Sequence, residues 1–193
     1  MTTDSSRDRH SDADGADVEA LAVRAAAGDR DALETLLAAI QPRVRRICGR
    51  MLLYPEDADE ATQDALLLVA TKVHQFGGRS RFTTWLHAVA SNSARSTYRT
   101  LKRRAGERLT AELPPMPDPR TTSVIAGSRL DLLEALDVLG ADHPELVEPL
   151  VLRDVQELDY AEIARFLDIP LGTVKSRIHA ARNTVRPLLV VTD

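Results

Sequence analysis

The sequence predicts an all-α protein with two small helical domains joined by a flexible, proline-rich linker. Apolar residues recur at helical spacing along most of the 193-residue chain, and no alternation of β-branched residues is long enough to predict a strand. The helical spacing stops between residues 105 and 127, a segment that contains Pro114, Pro115, Pro117 and Pro119. We therefore expect folded domains at residues 17–104 and 128–193 and a disordered acidic tail at residues 1–16.

The strongest local pattern is a pair of short helices separated by a tight turn, at residues 160–182. The first helix is predicted to bury one face, formed by Tyr160, Ile163, Ala164 and Leu167. The segment from Asp168 to Gly172 then breaks the helix, because Pro170 lacks an amide donor and Gly172 tolerates a positive φ. In the second helix, the buried face is formed by Val174, Ile178, Ala181 and Val185.

The opposite face of that second helix carries no acid from Leu171 to Pro187. It presents polar and basic side chains, namely Thr173, Lys175, Ser176, Arg177, His179 and Arg182. A short helix, a turn and a second helix with a basic outer face predict a helix-turn-helix whose second helix enters a DNA major groove. An ordinary helical hairpin with a solvated basic face is the alternative interpretation.

Charge is unevenly distributed along a chain whose formal net charge is −4. This balance argues against tight, autonomous and non-specific DNA binding. Residues 79–104 nevertheless contain no acid and seven cations, which are Arg79, Arg81, Arg95, Arg99, Lys102, Arg103 and Arg104. Acids concentrate in the first twenty residues and between Glu56 and Asp64. Local basic surfaces on an acidic chain indicate a protein that reads DNA together with a partner.

Composition excludes several kinds of site. Cys48 is the single cysteine, which excludes an internal disulfide and a multi-thiolate metal site. The five histidines are scattered without metal-ligand spacing, and no nucleophile–base pair or glycine-rich phosphate loop is visible. We therefore expect no enzyme activity, no metal and no cofactor. A cytoplasmic location is expected, because we find no apolar run of membrane-spanning length and no signal peptide.

Capping residues and prolines predict where the helices of the first domain begin and end. Helix starts are assigned to Asp17, Asp29, Pro55 and Ser80, and the first helix is expected to end at Gly28. Pro42 falls inside the second apolar stripe and is expected to kink or split that helix. Trp85 lies at a spacing that predicts a core position.

The second domain should place two helices beneath the helix-turn-helix. Ser128 is predicted to cap the first of them, and Gly140 is predicted to close it. The segment Asp142-His143-Pro144-Glu145 should start the next helix, with Glu145 at the capping-box position. Pro149 lies within its apolar pattern and is expected to distort the helix.

Two polar surfaces of the first domain have more than one interpretation. The third helix exposes Asp57, Asp59, Glu60, Gln63 and Asp64, either as solvent-facing decoration, which spacing alone favours, or as a docking face for a basic partner. The segment SNSARSTYRT, which begins at Ser91, predicts a loop or a polar pocket on a helix. Together with the cationic segment LKRR that follows, these side chains would suit the binding of a single nucleic-acid strand with an unstacked base. The alternative interpretation is a frayed and solvated helix end.

The order of these parts resembles the extracytoplasmic-function (ECF) group of bacterial sigma factors, over residues 17–187. PEDADEATQDALLLV is similar to the family's Asp-Ala-Glu-Asp-Leu-Thr-Gln-Glu segment. FGGRSRFTTWLHAVASNSARSTYR matches the signature Phe-x-Gly-Arg-Ser-x-Phe-x-Thr-Trp-Leu, which is the most specific motif in the chain. LGTVKSRIHAAR resembles the recognition helix of the family's σ4 domain.

The resemblance implies a σ2 domain at residues 17–104, a linker at 105–127 and a σ4 domain at 128–193. It implies that the face formed by Asp57, Asp59, Glu60, Gln63 and Asp64 docks on the clamp helices of the β′ subunit of core RNA polymerase, with the β subunit as a further partner. It implies that the −10 promoter element is bound near Arg79, Arg81, Asn92, Ser93, Arg95, Ser96, Tyr98, Arg99, Lys102 and Arg103. The −35 element would be bound by Thr173, Lys175, Ser176, Arg177, His179 and Arg182. Many family members also bind an anti-sigma factor.

Three positions depart from the family pattern. Ser96 stands where an aspartate is common, in the stretch implied to capture a flipped base, so the −10 preference is expected to differ. Leu66 replaces a bulky aromatic residue, and Pro149 replaces an apolar one. Two rival functions remain, a DNA-binding regulator that does not replace sigma and a helical adaptor that competes for polymerase.

Overall fold

The computed structural model describes residues 17–109 and 124–189, and within these ranges the chain is helical and contains no strand. The helices are α1 (17–26), α2 (Arg30–Met51), α3 (Pro55–Lys72), α4 (Phe82–Leu109), α5 (Val124–Asp142), α6 (Pro144–Leu150), α7 (Tyr160–Leu167) and α8 (Leu171–Val185). The predicted all-α class is confirmed. None of these helices combines the length and apolar character that crossing a bilayer requires.

Helices α1 to α4 form an N-terminal module around one apolar core. Leu36, Ile40 and Val44 recur every four residues on α2 and are fully buried. Phe82 and Leu86 do the same on α4, and α2, α3 and α4 pack on one another through these faces. Trp85 is half-buried, with its ring 5.5 Å from that of Phe82, so its predicted core position is confirmed.

Helix α2 begins at the predicted Asp29 cap and α3 begins at the predicted Pro55, whereas the predicted cap of α4 is wrong. Gly28 adopts φ +96°, and the Asp29 carboxylate accepts the Ala32 amide at 3.0 Å. Ser80, the predicted cap of α4, donates instead to the Arg81 carbonyl. The first amides of α4, those of Phe82 and Thr83, donate to the Glu19 carboxylate at 2.8 and 3.2 Å. Glu19 belongs to α1, so its helix caps another helix more than sixty residues away.

At two positions the sequence left alternatives open, and the structure excludes the one that interrupts the helix. Pro42 lies inside α2, which continues from Arg30 to Met51, so of the expected kink or split the split is wrong. Buried side chains before and after Pro42, such as Ile40 and Val44, pack on the neighbouring helices and hold both halves in one helix. The SNSARSTYRT segment lies wholly within α4, so of its two predicted alternatives the loop is wrong and a helical position is correct.

Helices α5 to α8 form a C-terminal module. Asp159 caps α7 by accepting the Glu162 amide at 2.7 Å, and Asp168 ends it in the left-handed conformation at φ +54°. The residue with positive φ in this turn is therefore Asp168, whereas Gly172 lies within α8. The predicted buried face of α8 is confirmed, since its buried residues are Val174, Ile178, Ala181 and Val185.

The two helices beneath the helix-turn-helix differ from prediction at their ends. Ser128 and Gly140 both lie inside α5, which extends from Val124 to Asp142, so neither marks an end. The structure describes the start of α6, and no side chain caps it. The capping box expected at Glu145 is therefore not formed there. Pro149 is buried in α6, which passes into a π-helical turn at Val151–Val155, in agreement with the predicted distortion.

The two modules are packed together. Ala88 of α4 is buried in an apolar cluster with Leu152, Ile163, Val174 and Ile178 of the C-terminal module. Polar contacts flank it: the Arg129 guanidinium donates to the Leu52 carbonyl, and the Arg50 guanidinium donates to the Val155 carbonyl, both at 3.4 Å. We call this packed arrangement the closed conformation.

Candidate polymerase and nucleic-acid interfaces

The acidic residues of α3 lie on a face that points away from the core. Pro55 occupies the first turn, with Glu56 and Asp57 beside it, where acids interact favourably with the helix dipole. Glu60, Gln63 and Asp64 are exposed and continue this face along the helix. Partial burial and the neighbouring Glu60 raise the pKa of Asp57 above its ordinary value.

Asp59 differs from the other acids of this face because it already has a partner. Its carboxylate accepts two hydrogen bonds from the Arg45 guanidinium on α2, the shorter at 2.5 Å. These hydrogen bonds lower the pKa of Asp59. Asp59 therefore connects α3 to α2, which separates it from the freely exposed Glu60.

The α3 face also carries an apolar residue that the sequence reasoning did not single out. Leu67 has 64% of its surface exposed and lies one turn beyond Gln63 and Asp64. An exposed leucine at the end of the acidic face adds an apolar contact beside the charged side chains. The i, i+3 and i+4 spacing of Leu67 from Asp64 and Gln63 is the signal that could have identified it.

The helix-turn-helix exposes the outer face of α8. Lys175, Ser176 and His179 are exposed, whereas Thr173 and Arg177 are half-buried. The Ser176 hydroxyl donates to the Thr173 carbonyl at 3.0 Å, within the first turns of the helix. The residues predicted to bind the −35 element therefore include both exposed and half-buried side chains.

Arg182 is the member of this set that is most strongly held within the protein. Its guanidinium makes two hydrogen bonds with the Asp154 carboxylate, at 2.8 and 2.6 Å. These bonds raise the pKa of Arg182 above its ordinary value. Asp154 lies in the π-helical turn, so the pair fixes α8 against the segment that follows α6.

The residues predicted to bind the −10 strand lie on several sides of α4. Asn92, Ser96 and Arg103 are exposed, Arg95 is half-buried, and Ser93 and Tyr98 are buried. Burial raises the pKa of Tyr98 to about 12, and the acids Glu134 and Asp137 of α5 add to the effect. Tyr98 is thus covered by α5 in the closed conformation.

The basic side chains of α4 and of the segment before it form ion pairs with the C-terminal module. Arg99 is 2.8 Å from the Asp137 carboxylate, and Lys102 is 3.8 Å from the same group and 4.0 Å from Glu134. Ahead of them, Arg81 is 3.6 Å from Glu162 and Arg79 is 3.9 Å from Asp168. The face predicted to hold a DNA strand is therefore occupied by acids of the same chain.

Several polar atoms of α4 and of the segment after α6 are buried without a hydrogen-bond partner among the described residues. They are the hydroxyls of Ser91, Ser93 and Thr97, the Arg95 Nε and the Gln156 Nε2. Burying such groups without a partner costs about 1–3 kcal/mol each. The two modules therefore share an apolar core, while a few buried polar groups of α4 and of the segment after α6 lack a partner in the part of the chain that the structure describes.

Comparisons with known proteins place both modules in one class. The family models for Sigma-70 region 2 and for Sigma-70, region 4 match residues 36–104 and 144–185, respectively. The region 2 match covers α3 and most of α2 and α4 in the N-terminal module. The region 4 match covers α6 to α8 in the C-terminal module.

Curated relatives narrow the class further. The ECF RNA polymerase sigma factor SigE of Mycolicibacterium smegmatis is 34% identical, over 87% of this chain and 66% of that protein. The ECF RNA polymerase sigma factor SigW of Bacillus subtilis is 27% identical, over 84% of this chain and 91% of that protein. A solved structure of CnrH in complex with the cytosolic domain of CnrY matches 90% of this chain and 97% of that chain, with a TM-score of 0.53 and 20% identity, and supports the fold.

The chain belongs to the ECF group of the sigma-70 family of RNA polymerase sigma factors. It directs RNA polymerase to promoters for the initiation of transcription.

Proposed function

We propose that the acidic face of α3 is the surface by which this sigma factor docks on core RNA polymerase. Glu60, Gln63 and Asp64 are exposed there, and Leu67 supplies an exposed apolar contact one turn further along the helix. Such a face fits a basic partner surface, because opposite charges favour encounter and a desolvated apolar contact contributes affinity. The family resemblance assigns the β′ subunit as this partner and β as a further contact.

The −35 element is proposed to bind the outer face of α8. The observation that carries this assignment is the exposed, acid-free surface formed by Lys175, Ser176 and His179 on the second helix of a helix-turn-helix. Basic side chains at this position hold phosphates or pair with guanine edges in the major groove. Arg177 is proposed to reach bases from its half-buried position, and Arg182 to support the helix through Asp154.

The −10 element is proposed to bind α4 and the segment before it. Asn92 and Ser96 are exposed polar groups that suit an unstacked base, and Arg99, Lys102 and Arg103 suit its backbone. Arg79 and Arg81 would extend this cationic surface. Extruding a base costs a few kcal/mol, which contacts to the captured base and to phosphates offset.

Reconstituted transcription tests the proposal. Core polymerase, a promoter-containing genomic template and the purified chain should give RNA 5′ ends at defined positions that are absent without the chain. Under the same conditions, a chain with Glu60→Lys should lose these start sites through loss of core binding. Start positions that do not change when the chain is added would contradict the proposal.

Binding of an anti-sigma factor remains a prediction that rests on the family resemblance.

A further inference from the structure

Leu171, the first residue of α8, carries an apolar side chain that is not part of the core. It lies three residues before Val174 and seven before Ile178, a spacing that continues the buried face of the helix. It is nevertheless 44% exposed and belongs to neither apolar cluster of the described residues. Packing within the chain therefore does not account for an isobutyl group at this position.

The first turn of α8 is open to its surroundings. Pro170 and Gly172, on either side of Leu171, are both exposed. A Cβ atom built on Gly172 would meet no atom within 4 Å from any part of the described chain outside its own turn of helix. The structure thus leaves room for a bound duplex to approach this turn closely.

Leu171 begins the row of side chains that the proposed function directs into the major groove. Lys175 and His179 follow it at intervals of four residues, so the three side chains lie along one side of α8. All three residues are exposed. In a helix-turn-helix, the N-terminal residues of the second helix are the ones that contact base edges. This row therefore places Leu171 at the end of α8 that faces the bases.

The chemistry of a leucine side chain limits what it can recognise on DNA. It offers no hydrogen-bond donor or acceptor to a phosphate or to the polar edge of a base. The C5 methyl group of thymine is the apolar group that base pairs present in the major groove. Contact between the two removes apolar surface from water, which is favourable. Cytosine has only a hydrogen atom at C5, so such a contact distinguishes thymine from cytosine.

A second leucine provides a comparison for this argument. Single exposed leucines are common on protein surfaces, so exposure alone assigns no role. Leu188 is also 44% exposed, but it lies in the 3₁₀ turn Arg186–Leu188, which follows the other end of α8. The position of Leu171 at the start of the Lys175 and His179 row distinguishes it from Leu188.

We propose that Leu171 contacts a thymine methyl group in the −35 element and thereby sets a base preference of this sigma factor. This inference rests on the proposed role of α8 in −35 binding and adds a specificity-determining residue to it. Lys175 contributes attraction to phosphates of any sequence, whereas Leu171 contributes discrimination between bases.

The test uses RNA polymerase reconstituted with this sigma factor and a promoter fragment mapped by the transcription assay. In one series, each thymidine of the −35 element on either strand is replaced singly by deoxyuridine, which removes only the C5 methyl group. In a second series, each cytosine is replaced by 5-methylcytosine, which adds this group. At one pyrimidine position, the methylated fragment should bind the wild type about threefold to fivefold more tightly in competition filter binding.

The variants Leu171→Ala and Leu188→Ala identify the residue responsible. Leu171→Ala should bind the methylated fragment about threefold to fivefold more weakly than the wild type and should not respond to the methyl group. Leu188→Ala should keep both the affinity and the response of the wild type. Because Leu171 contacts no phosphate, Leu171→Ala should keep the salt dependence of binding, whereas Lys175→Ala should reduce it.

Two results would overturn the proposal. The first is the lack of any methyl-sensitive position with the wild type, a measurement that does not depend on the folding of a variant. The second is a methyl response that persists in Leu171→Ala. If Lys175→Ala leaves DNA binding unchanged, the assignment of α8 to the −35 element fails. If Lys175→Ala weakens binding and the methyl response is missing, that assignment stands and the role of Leu171 does not.

Discussion

At the scale of single residues, two cations of α8 show that charge alone does not predict availability to DNA. Lys175 is exposed near the start of the helix, whereas Arg182 makes a two-point contact with Asp154. Both positions follow the helical spacing that indicates an outward face. The difference depends on a carboxylate twenty-eight residues away from Arg182 in sequence, which no local pattern reveals.

We predict that Arg182→Ala lowers the stability of the fold, whereas Lys175→Ala lowers the affinity for DNA. Arg182→Ala should lower the free energy of unfolding by about 1 kcal/mol, because this half-exposed pair is weakened by solvent screening. Lys175→Ala should leave stability within about 0.5 kcal/mol and weaken DNA binding by the polymerase complex in all sequences alike. Urea unfolding and filter binding at two salt concentrations measure these effects. Equal stability of the two variants would contradict the assignment of Arg182.

A second residue-scale prediction separates Glu60 from Glu34 on the N-terminal module. Glu60→Lys should weaken binding to core polymerase by tenfold or more, that is at least about 1.4 kcal/mol, because it introduces like charge opposite a basic surface. Glu34→Lys makes the same change at an exposed position of α2 and should have little effect. Co-migration with core polymerase in gel filtration and a binding titration check both. Equal affinity for the two variants would remove Glu60 from the docking face.

At the scale of helices, sequence pattern predicted the buried faces better than the ends. The apolar faces of α7 and α8 repeat at helical spacing, so periodicity alone was sufficient to place them. Helix ends depend on which group reaches the first amides, and that group need not be local. Ser80 had the right chemistry to cap α4, but the amides of Phe82 and Thr83 are occupied by Glu19. The tendency of Pro42 to split the helix was overestimated, because packing before and after it holds α2 together.

The cap supplied by Glu19 gives a prediction with a matched control. Glu19→Ala should lower the free energy of unfolding by about 1–2 kcal/mol, because two α4 amides lose a carboxylate acceptor and α1 loses its attachment. Ser80→Ala, which removes the cap that the sequence favoured, should change it by less than about 0.5 kcal/mol. Urea unfolding followed by circular dichroism compares them. A larger loss for Ser80→Ala would show that the local residue is the cap.

At the scale of the whole molecule, the sequence predicted the two modules and the candidate surfaces but not how the modules are arranged. Motifs identified the acidic face, the α4 cations and the recognition helix, since each lies in a contiguous stretch. The contacts of Arg99 with Asp137 and of Arg81 with Glu162 join residues of different modules. Their partners are ordinary surface acids in the sequence, so only the folded arrangement distinguishes them from solvated charges.

His87 makes the junction between the modules sensitive to acid. Its Nδ1 lies 3.2 Å from the Gln156 Oε1 and its Nε2 lies 3.3 Å from the Arg43 Nη2, which suits a neutral ring that donates to Gln156 and accepts from arginine. Burial, with the charges of Arg43 and Arg50, lowers the pKa of His87 to about 4 from the ordinary 6.5. Protonation would remove the acceptor and place a cation against two arginines.

The direction of the resulting pH dependence follows from this lowered pKa. Between pH 6.5 and 4 the unfolded chain binds a proton at His87 that the closed conformation does not, so the free energy of unfolding falls as the pH falls. The pKa difference corresponds to about 3 kcal/mol over the whole interval, and about 2 kcal/mol is lost by pH 5. His87→Gln cannot titrate, so the wild type should lose about 2 kcal/mol more than this variant between pH 7.5 and pH 5 in urea unfolding. All other titratable groups are the same in the two chains. Equal losses in the free energy of unfolding between pH 7.5 and pH 5 would therefore show that His87 is not buried in its neutral form between the modules.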